Sequence, residues 1–100
     1  LAGRFVTAVV PAEQLLEEAY KIARRIAQHS PVAIALTRQM MYRCSAQPHP
    51  IEAHKVDSLA IYYTSLKSGK EGVKSFLEKR APVFEDRTST DMPDFYPWWK

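Results

Sequence analysis

The chain has 100 residues, of which 46% are hydrophobic, and a formal net charge of +3. This length and apolar content suffice for the core of one small domain and exclude an intrinsically disordered chain. The longest apolar runs are too short for a membrane span and no basic-then-apolar leader is present, so we expect neither a transmembrane helix nor a signal peptide.

Cysteine content and charge distribution narrow the class of protein further. Cys44 is the single cysteine and cannot form an internal disulfide, which favours a reducing compartment, and we predict a cytoplasmic location. Cys44, His49 and His54 do not match a usual zinc-ligand spacing because two prolines intervene, so no metal site is predicted. The basic residues are dispersed and no nucleic-acid motif is present, so nucleic acid is not an expected partner.

Residues 5–10 are rich in β-branched side chains, and this composition predicts one strand. No second strand candidate follows, and a lone strand cannot satisfy its own backbone hydrogen bonds. Either it pairs with chain upstream of this sequence, or it is an extended segment packed on helices. Because the sequence begins at Leu1 without a methionine, we expect the first, and residues 1–10 are predicted to be the remnant strand of an upstream domain.

Two helices follow, and prolines mark their starts. Pro11 opens a helix that is predicted to run to about Gln28. Ser30 is expected to cap a second helix that begins at Pro31 and ends near Arg43. A broad apolar face on the first helix predicts burial of one side; it comprises Leu15, Leu16, Ala19, Ile22, Ala23, Ile26 and Ala27.

A third helix is predicted from Pro50 to about Leu66, after a proline-containing loop. Its apolar residues spread over a wide arc, so both main faces are expected to meet protein. Tyr62 and Tyr63 lie on this helix and are candidates for substrate contact, although packing is the preferred interpretation for each.

A fourth, short helix is predicted to start at Ser68, because Glu71 lies three residues later in the spacing of a capping box. Pro82 is expected to stop it. Apolar residues at helical spacing predict, from the residues alone, a short amphipathic helix docked through Val73, Phe76 and Leu77.

Residues 88–100 change composition sharply and predict an extension without helix. Its aromatic residues are too apolar to remain unpacked, so we predict that they dock on this chain or on a neighbouring subunit; they are Phe95, Tyr96, Trp98 and Trp99. An aromatic ligand site is the alternative, but the segment lacks convergent polar groups.

The stretch Glu71–Phe84 (EGVKSFLEKRAPVF) resembles the C-terminal signature of the crotonase (enoyl-CoA hydratase/isomerase) superfamily. Residues 9–37 resemble the last strand of that family, which leads into a helix and then into a second helix that starts with Ser-Pro. The resemblance implies a mostly α fold, the C-terminal helical region of a crotonase-type ββα spiral fold with one leftover strand. Residues 11–87 would form the helical oligomerisation region and residues 88–100 an aromatic extension.

The same resemblance implies a function. In the family the aromatic residue and the lysine of the signature help to hold the adenine nucleotide end of coenzyme A in the active site of a neighbouring subunit; here they would be Phe76 and Lys79. The implied partners are an acyl-CoA substrate and further copies of the chain, as a trimer or a dimer of trimers. Coenzyme A would be part of the substrate, with no separate cofactor.

The groups that perform crotonase chemistry lie upstream of the signature in the family, so no catalytic residue is assigned and the polypeptide alone is expected to be inactive. A stand-alone helical interaction module without catalysis is the alternative hypothesis. A nucleic-acid adaptor is a third hypothesis, which predicts steeply salt-dependent binding.

Overall fold

The computed structural model describes residue 3 and residues 5–96, which form four α-helices preceded by one 3-10 turn. The turn covers Ala12–Gln14, and the helices are α1 (Leu15–Ile26), α2 (Pro31–Cys44), α3 (Pro50–Leu66) and α4 (Ser68–Leu77). The predicted mostly helical fold is therefore confirmed. Among the described residues, no helix is both long enough and apolar enough to cross a bilayer.

Residues 5–10 form no strand within the described chain, and their pairing with chain upstream of this sequence stays a prediction. The segment is largely exposed, with Phe5 96% accessible to solvent and Val10 half-buried. No other strand occurs among residues 5–96 to exchange ladder hydrogen bonds with it. Without such a partner, β-branched composition alone cannot satisfy the backbone of a strand.

The predicted first helix is divided: the 3-10 turn begins directly after Pro11, and α1 follows from Leu15 to Ile26, two residues before the predicted end. Its apolar face is largely exposed, with Leu16 67% accessible. The substantial contacts between α-helices are those of α2 with α3 and of α3 with α4. The predicted amphipathic pattern is present in α1, but the surface that would cover its apolar side is not supplied by these contacts.

The starts of α2 and α3 lie where the prolines in the sequence predicted them. The Ser30 hydroxyl accepts a hydrogen bond from the Ala33 N–H at 3.2 Å, and Pro31 occupies the first turn of α2. Pro50 has the same place in α3, where the His49 ring supplies the cap by accepting the Ile51 N–H at 3.2 Å through Nδ1. Capping by His49 had no signal in the sequence, because histidine is not among the preferred capping residues.

The core lies between α2 and α3 and is small. Leu36 is its best-buried side chain, only 1% accessible, and it packs with Val32 and Ala60. Half-buried side chains close around this cluster from α2, α3 and the C-terminal segment; they are Met40, Tyr63, Met92, Phe95 and Tyr96. One face of α3 is thus packed, whereas Ile61 and Tyr62 are exposed, so contact of the second face with protein stays a prediction.

The aromatic extension folds back onto α3. The rings of Tyr63 and Phe95 meet edge to face with centroids 6.1 Å apart, and the Tyr63 hydroxyl donates to the Asp91 carbonyl at 2.9 Å. Docking is therefore confirmed for Phe95 and Tyr96. The same prediction for Trp98 and Trp99 lies outside the described residues.

Candidate functional site

The start of α4 differs from the predicted capping box. Lys67 is the N-cap residue, makes no side-chain cap hydrogen bond, and leaves Ser68 inside the helix. The connection to α3 is tight: a Cβ atom on Gly69 would lie 3.0 Å from the Thr64 carbonyl oxygen, which explains a glycine at this position. Glu71 does not reach back to the helix start, because its carboxylate faces a charged partner nine residues later.

The end of α4 is set by its own backbone, since the helix stops at Leu77, five residues before Pro82. The Lys79 N–H donates to the Phe76 carbonyl at 3.2 Å, and the Arg80 N–H donates to the Ser75 carbonyl at 3.0 Å. These two bonds form a Schellman motif, which requires a left-handed residue after the helix. Lys79 is that residue, with φ of 52°, in a place that glycine usually occupies.

The apolar stripe of α4 is not docked, so the interpretation of Val73, Phe76 and Leu77 as packing residues is wrong within this chain. All three are exposed, and Phe76 is 82% accessible. The buried residue of α4 is Ser75, whose hydroxyl donates to the Gly72 carbonyl at 3.0 Å. Phe76 and the exposed Lys79 are thus brought together at the C-terminal end of α4, joined through one backbone hydrogen bond.

Glu71 and Arg80 form an ion pair beside this turn, in which Arg80 is exposed and Glu71 is half-buried. The Arg80 Nη2 donates to Glu71 Oε2 at 2.9 Å, and Nη1 donates to Oε1. Glu71 Oε1 also accepts the Val83 N–H at 2.8 Å. The Arg80 guanidinium, and after it the Val83 N–H, lower the pKa of Glu71 from its ordinary 4.5 to about 2, and the pair raises the pKa of Arg80.

A cavity of about 840 Å³ lies between the start of α4 and the segment that follows it. Its lining includes Lys67, Ser68, Glu71, Arg80, Val83, Phe84, Glu85, Asp86 and Asp91. Asp86 accepts the Ser30 hydroxyl at 2.6 Å, and Asp91 accepts the Arg87 N–H at 2.9 Å, which is the main cause of the lowered pKa of Asp91. Both carboxylates tether the chain, and the lowered pKa of Asp91 makes it a weak base at neutral pH.

A shallower apolar groove of about 680 Å³ separates the exposed sides of α3 and α4. Its apolar surface comes from Ile61, Val73 and Leu77, with Lys70 and Lys74 at its edges. The exposed stripe of α4 is therefore continuous with an apolar part of α3.

The residues considered for a metal are engaged separately. His49 caps α3 and the exposed His54 lies 3.1 Å from Asp57 through Nδ1. No group of three or more metal-ligating side chains is brought together among the residues that the structure describes.

Known proteins resemble the chain over most of its length. A family model described as enoyl-CoA hydratase/isomerase matches residues 4–87. The enoyl-CoA hydratases ACTT3 and AKT3-2 of Alternaria alternata are 44% and 47% identical to it over 89 residues, which cover 86% of this chain and 29% of each relative. The mitochondrial enoyl-CoA hydratase domain-containing protein 3 of Rattus norvegicus is 35% identical over 79 residues, covering 79% of this chain and 26% of that protein. The chain thus spans less than a third of the length of these relatives.

Proposed function

This chain belongs to the enoyl-CoA hydratase/isomerase family, and from that premise we propose that it is the C-terminal portion of a hydratase or isomerase that acts on acyl-CoA thioesters. The enoyl-CoA hydratases that it resembles are longer than this chain, which supports a role as part of a larger enzyme. Coenzyme A belongs to the substrate, so the proposal includes no separate cofactor. The cytoplasmic location remains a proposal that rests on the lone Cys44.

The proposed contribution of the chain is a part of the coenzyme A site formed by Phe76 and Lys79. The observation that carries this assignment is the exposure of an aromatic ring next to a lysine at the end of α4, where neither side chain serves the core. A flat aromatic face can stack on an adenine base, and an ammonium can meet a phosphate as a point charge. A site of this kind binds substrate without taking part in the reaction.

We further propose that the nucleotide bound by Phe76 and Lys79 belongs to the active site of a neighbouring subunit, in a trimer or a dimer of trimers. The exposed apolar residues of α1 support self-association, because Leu15, Leu16 and Tyr20 present a hydrophobic face that the core of this chain does not use. The apolar groove between α3 and α4 offers a second such surface.

Catalysis is assigned to other parts of the enzyme. In the family, backbone N–H groups stabilise negative charge on the thioester oxygen and carboxylates move protons for hydration or a double-bond shift. Two carboxylates that line the cavity are engaged instead: Glu71 with Arg80 and Asp86 with Ser30. The isolated polypeptide is therefore expected to lack hydratase and isomerase activity, and turnover of an enoyl-CoA by the purified 100-residue chain would contradict this part of the proposal.

The site assignment is tested by steady-state kinetics of the intact enzyme that carries this chain. Phe76→Ala and Lys79→Ala should each raise KM for an enoyl-CoA by roughly 5- to 150-fold and leave kcat within about twofold, because stacking and phosphate contact each contribute about 1–3 kcal/mol. Lys70→Ala is the matched control, since Lys70 is an exposed lysine at the other end of α4. Unchanged KM in both variants would reject the assignment.

A stand-alone interaction module is the second candidate, and the exposed apolar face of α1 is the observation that favours it. The two candidates differ in what precedes Leu1 in the source gene. An open reading frame with glycine-rich oxyanion segments upstream supports the enzyme, whereas a start codon immediately before Leu1 supports the module.

A further inference from the structure

We propose that Glu71 and Arg80 are positioning residues, which hold the Lys79 turn in the conformation that presents the lysine to its ligand. This inference rests on the proposed function, because it assumes that Lys79 binds coenzyme A. It adds a role for two residues that do not themselves need to touch the substrate.

The first step is the backbone of Lys79. Its φ of 52° is the one positive value found for a non-glycine residue in the part of the chain that the structure describes. A residue with a Cβ atom resists this left-handed conformation, and glycine would adopt it more readily. A lysine at this position gains a defined direction for its side chain, but the surrounding structure has to hold the turn.

The second step is the set of bonds that holds the turn on both sides. Before Lys79, the Schellman bonds tie residues 79 and 80 to the last turn of α4. After Lys79, the Arg80 guanidinium binds the Glu71 carboxylate through two nitrogens, contacts Glu78 at 2.6 Å and donates to the Ala81 carbonyl at 3.1 Å.

The third step is the set of contacts that the Glu71 side chain makes with the chain beyond Lys79. Its carboxylate accepts both Arg80 and the Val83 N–H, so one side chain in the first turns of α4 fastens the chain on the far side of Lys79. The segment 80–83 is thereby folded back along the helix that carries Phe76. The pair lies at the surface, with 22% of the Glu71 side chain and 35% of the Arg80 side chain accessible, and its two parallel bonds fix the orientation of both groups.

Loss of this pair would free Lys79 to leave the left-handed region. The ammonium would then be distributed over many positions, and the ligand would have to order it again on binding. The expected effect is a loss of substrate binding at unchanged chemistry, although neither Glu71 nor Arg80 contacts the reacting atoms.

The test is a double-mutant cycle in the intact enzyme, with enoyl-CoA as the probe. Glu71→Gln should raise KM at least fivefold with kcat within about twofold, and Lys79→Ala should do the same. The double variant should be no worse than Lys79→Ala alone, because a positioning residue has no effect once the group that it positions is absent. A merely structural role of Glu71 would instead multiply the two effects, and that result would overturn the inference.

Two further variants keep the test decisive. Arg80→Lys retains the charge but cannot form the two-nitrogen contact, so it should raise KM even if Glu71→Gln folds poorly. Glu52→Gln is the control, because Glu52 also lies in the first turn of a helix and pairs with a base, Lys55, at 2.8 Å; its KM should be unchanged.

The outcomes separate this inference from the proposed function. Normal KM in Lys79→Ala rejects the coenzyme A assignment together with this inference. Raised KM in Lys79→Ala with normal KM in Glu71→Gln and Arg80→Lys rejects this inference alone.

Discussion

The Asp86 carboxylate accepts a hydrogen bond of 2.6 Å from the Ser30 hydroxyl, across 56 residues of sequence. Asp86 also accepts the Val32 N–H at 3.3 Å, so it lies at the positive end of α2 and satisfies a backbone donor there. This contact joins the start of α2 to the segment that leaves α4. The Glu71–Arg80 pair and Asp86 therefore fasten the segment after α4 at successive points.

The Asp86 contact predicts a measurable loss of stability. Asp86→Ala leaves the buried Ser30 hydroxyl and the Val32 N–H without this acceptor, so the free energy of unfolding should fall by about 1–3 kcal/mol. Urea unfolding of the chain followed by circular dichroism measures this change. Glu85→Ala is the matched control, because Glu85 is the exposed neighbour; equal losses in both variants would show that the contact contributes nothing specific.

The left-handed turn predicts opposite effects on stability and on binding at Lys79. Lys79→Gly removes the strain of a Cβ atom at positive φ and should raise the free energy of unfolding by about 0.5–1 kcal/mol. The same variant removes the ammonium and should raise KM for enoyl-CoA. Lys79→Ala should raise KM without the gain in stability, since alanine keeps the Cβ atom. If Lys79→Gly were less stable than Lys79→Ala, the backbone of residue 79 would not be strained by a Cβ atom.

The pKa of Glu71 predicts how the pair depends on pH. The pKa lies at about 2 in the folded chain and at its ordinary 4.5 otherwise, so the unfolded chain binds the proton first as the pH falls. The stabilisation by the pair is complete above about pH 4.5 and is lost as the pH falls toward 2. The stability difference between the natural chain and Glu71→Gln should therefore shrink over this window, and ¹³C NMR should give a Glu71 carboxyl midpoint near 2. A midpoint near 4.5 would show that the pair does not form in solution.

Sequence reasoning located the helices well because their start signals are local. Pro31 and Pro50 each open a helix one residue after the side chain that caps it, and such signals need no knowledge of the fold. The predicted capping role of Glu71 was wrong because the competing partner is not a local one. A carboxylate with a choice between a backbone N–H at the helix start and a guanidinium favours the charged, two-nitrogen partner, and Arg80 is too distant in sequence to signal this.

Amphipathic patterns were informative about which side of a helix is apolar and uninformative about what covers it. Leu16 and Phe76 both lie on predicted apolar faces, and both are exposed, whereas Ala60 on α3 is buried in the cluster with Val32 and Leu36 of α2. The Asp86 contact had no sequence signal at all, because only the tertiary fold brings it to Ser30. A shared site for Phe76 and Lys79 was inferred from a family resemblance, whereas the helical period alone assigns Phe76 to packing.

The exposed apolar face of α1 predicts a surface mutation that changes self-association. Leu16→Asp places a charge in the centre of this face and should shift the intact enzyme toward smaller species in sedimentation velocity, because burying an unpaired charge in an interface is costly. Gln28→Asp adds the same charge just beyond α1, at an exposed polar position, and should leave the distribution unchanged. Identical distributions for the natural enzyme and both variants would remove α1 from the proposed interface.

Two phenylalanines at unlike positions provide the sharpest test of the fold. Phe95 packs edge to face on Tyr63 beside the core, so Phe95→Ala should lower the free energy of unfolding by about 2 kcal/mol, less than for a fully buried ring because Phe95 is half-buried. Phe76→Ala removes the same ring from an exposed position and should change the stability by less than about 0.5 kcal/mol. KM for enoyl-CoA should rise more in Phe76→Ala than in Phe95→Ala, since only Phe76 is assigned to the substrate. A large loss of stability in Phe76→Ala would show that this ring is packed, and it would remove the observation on which the coenzyme A site rests.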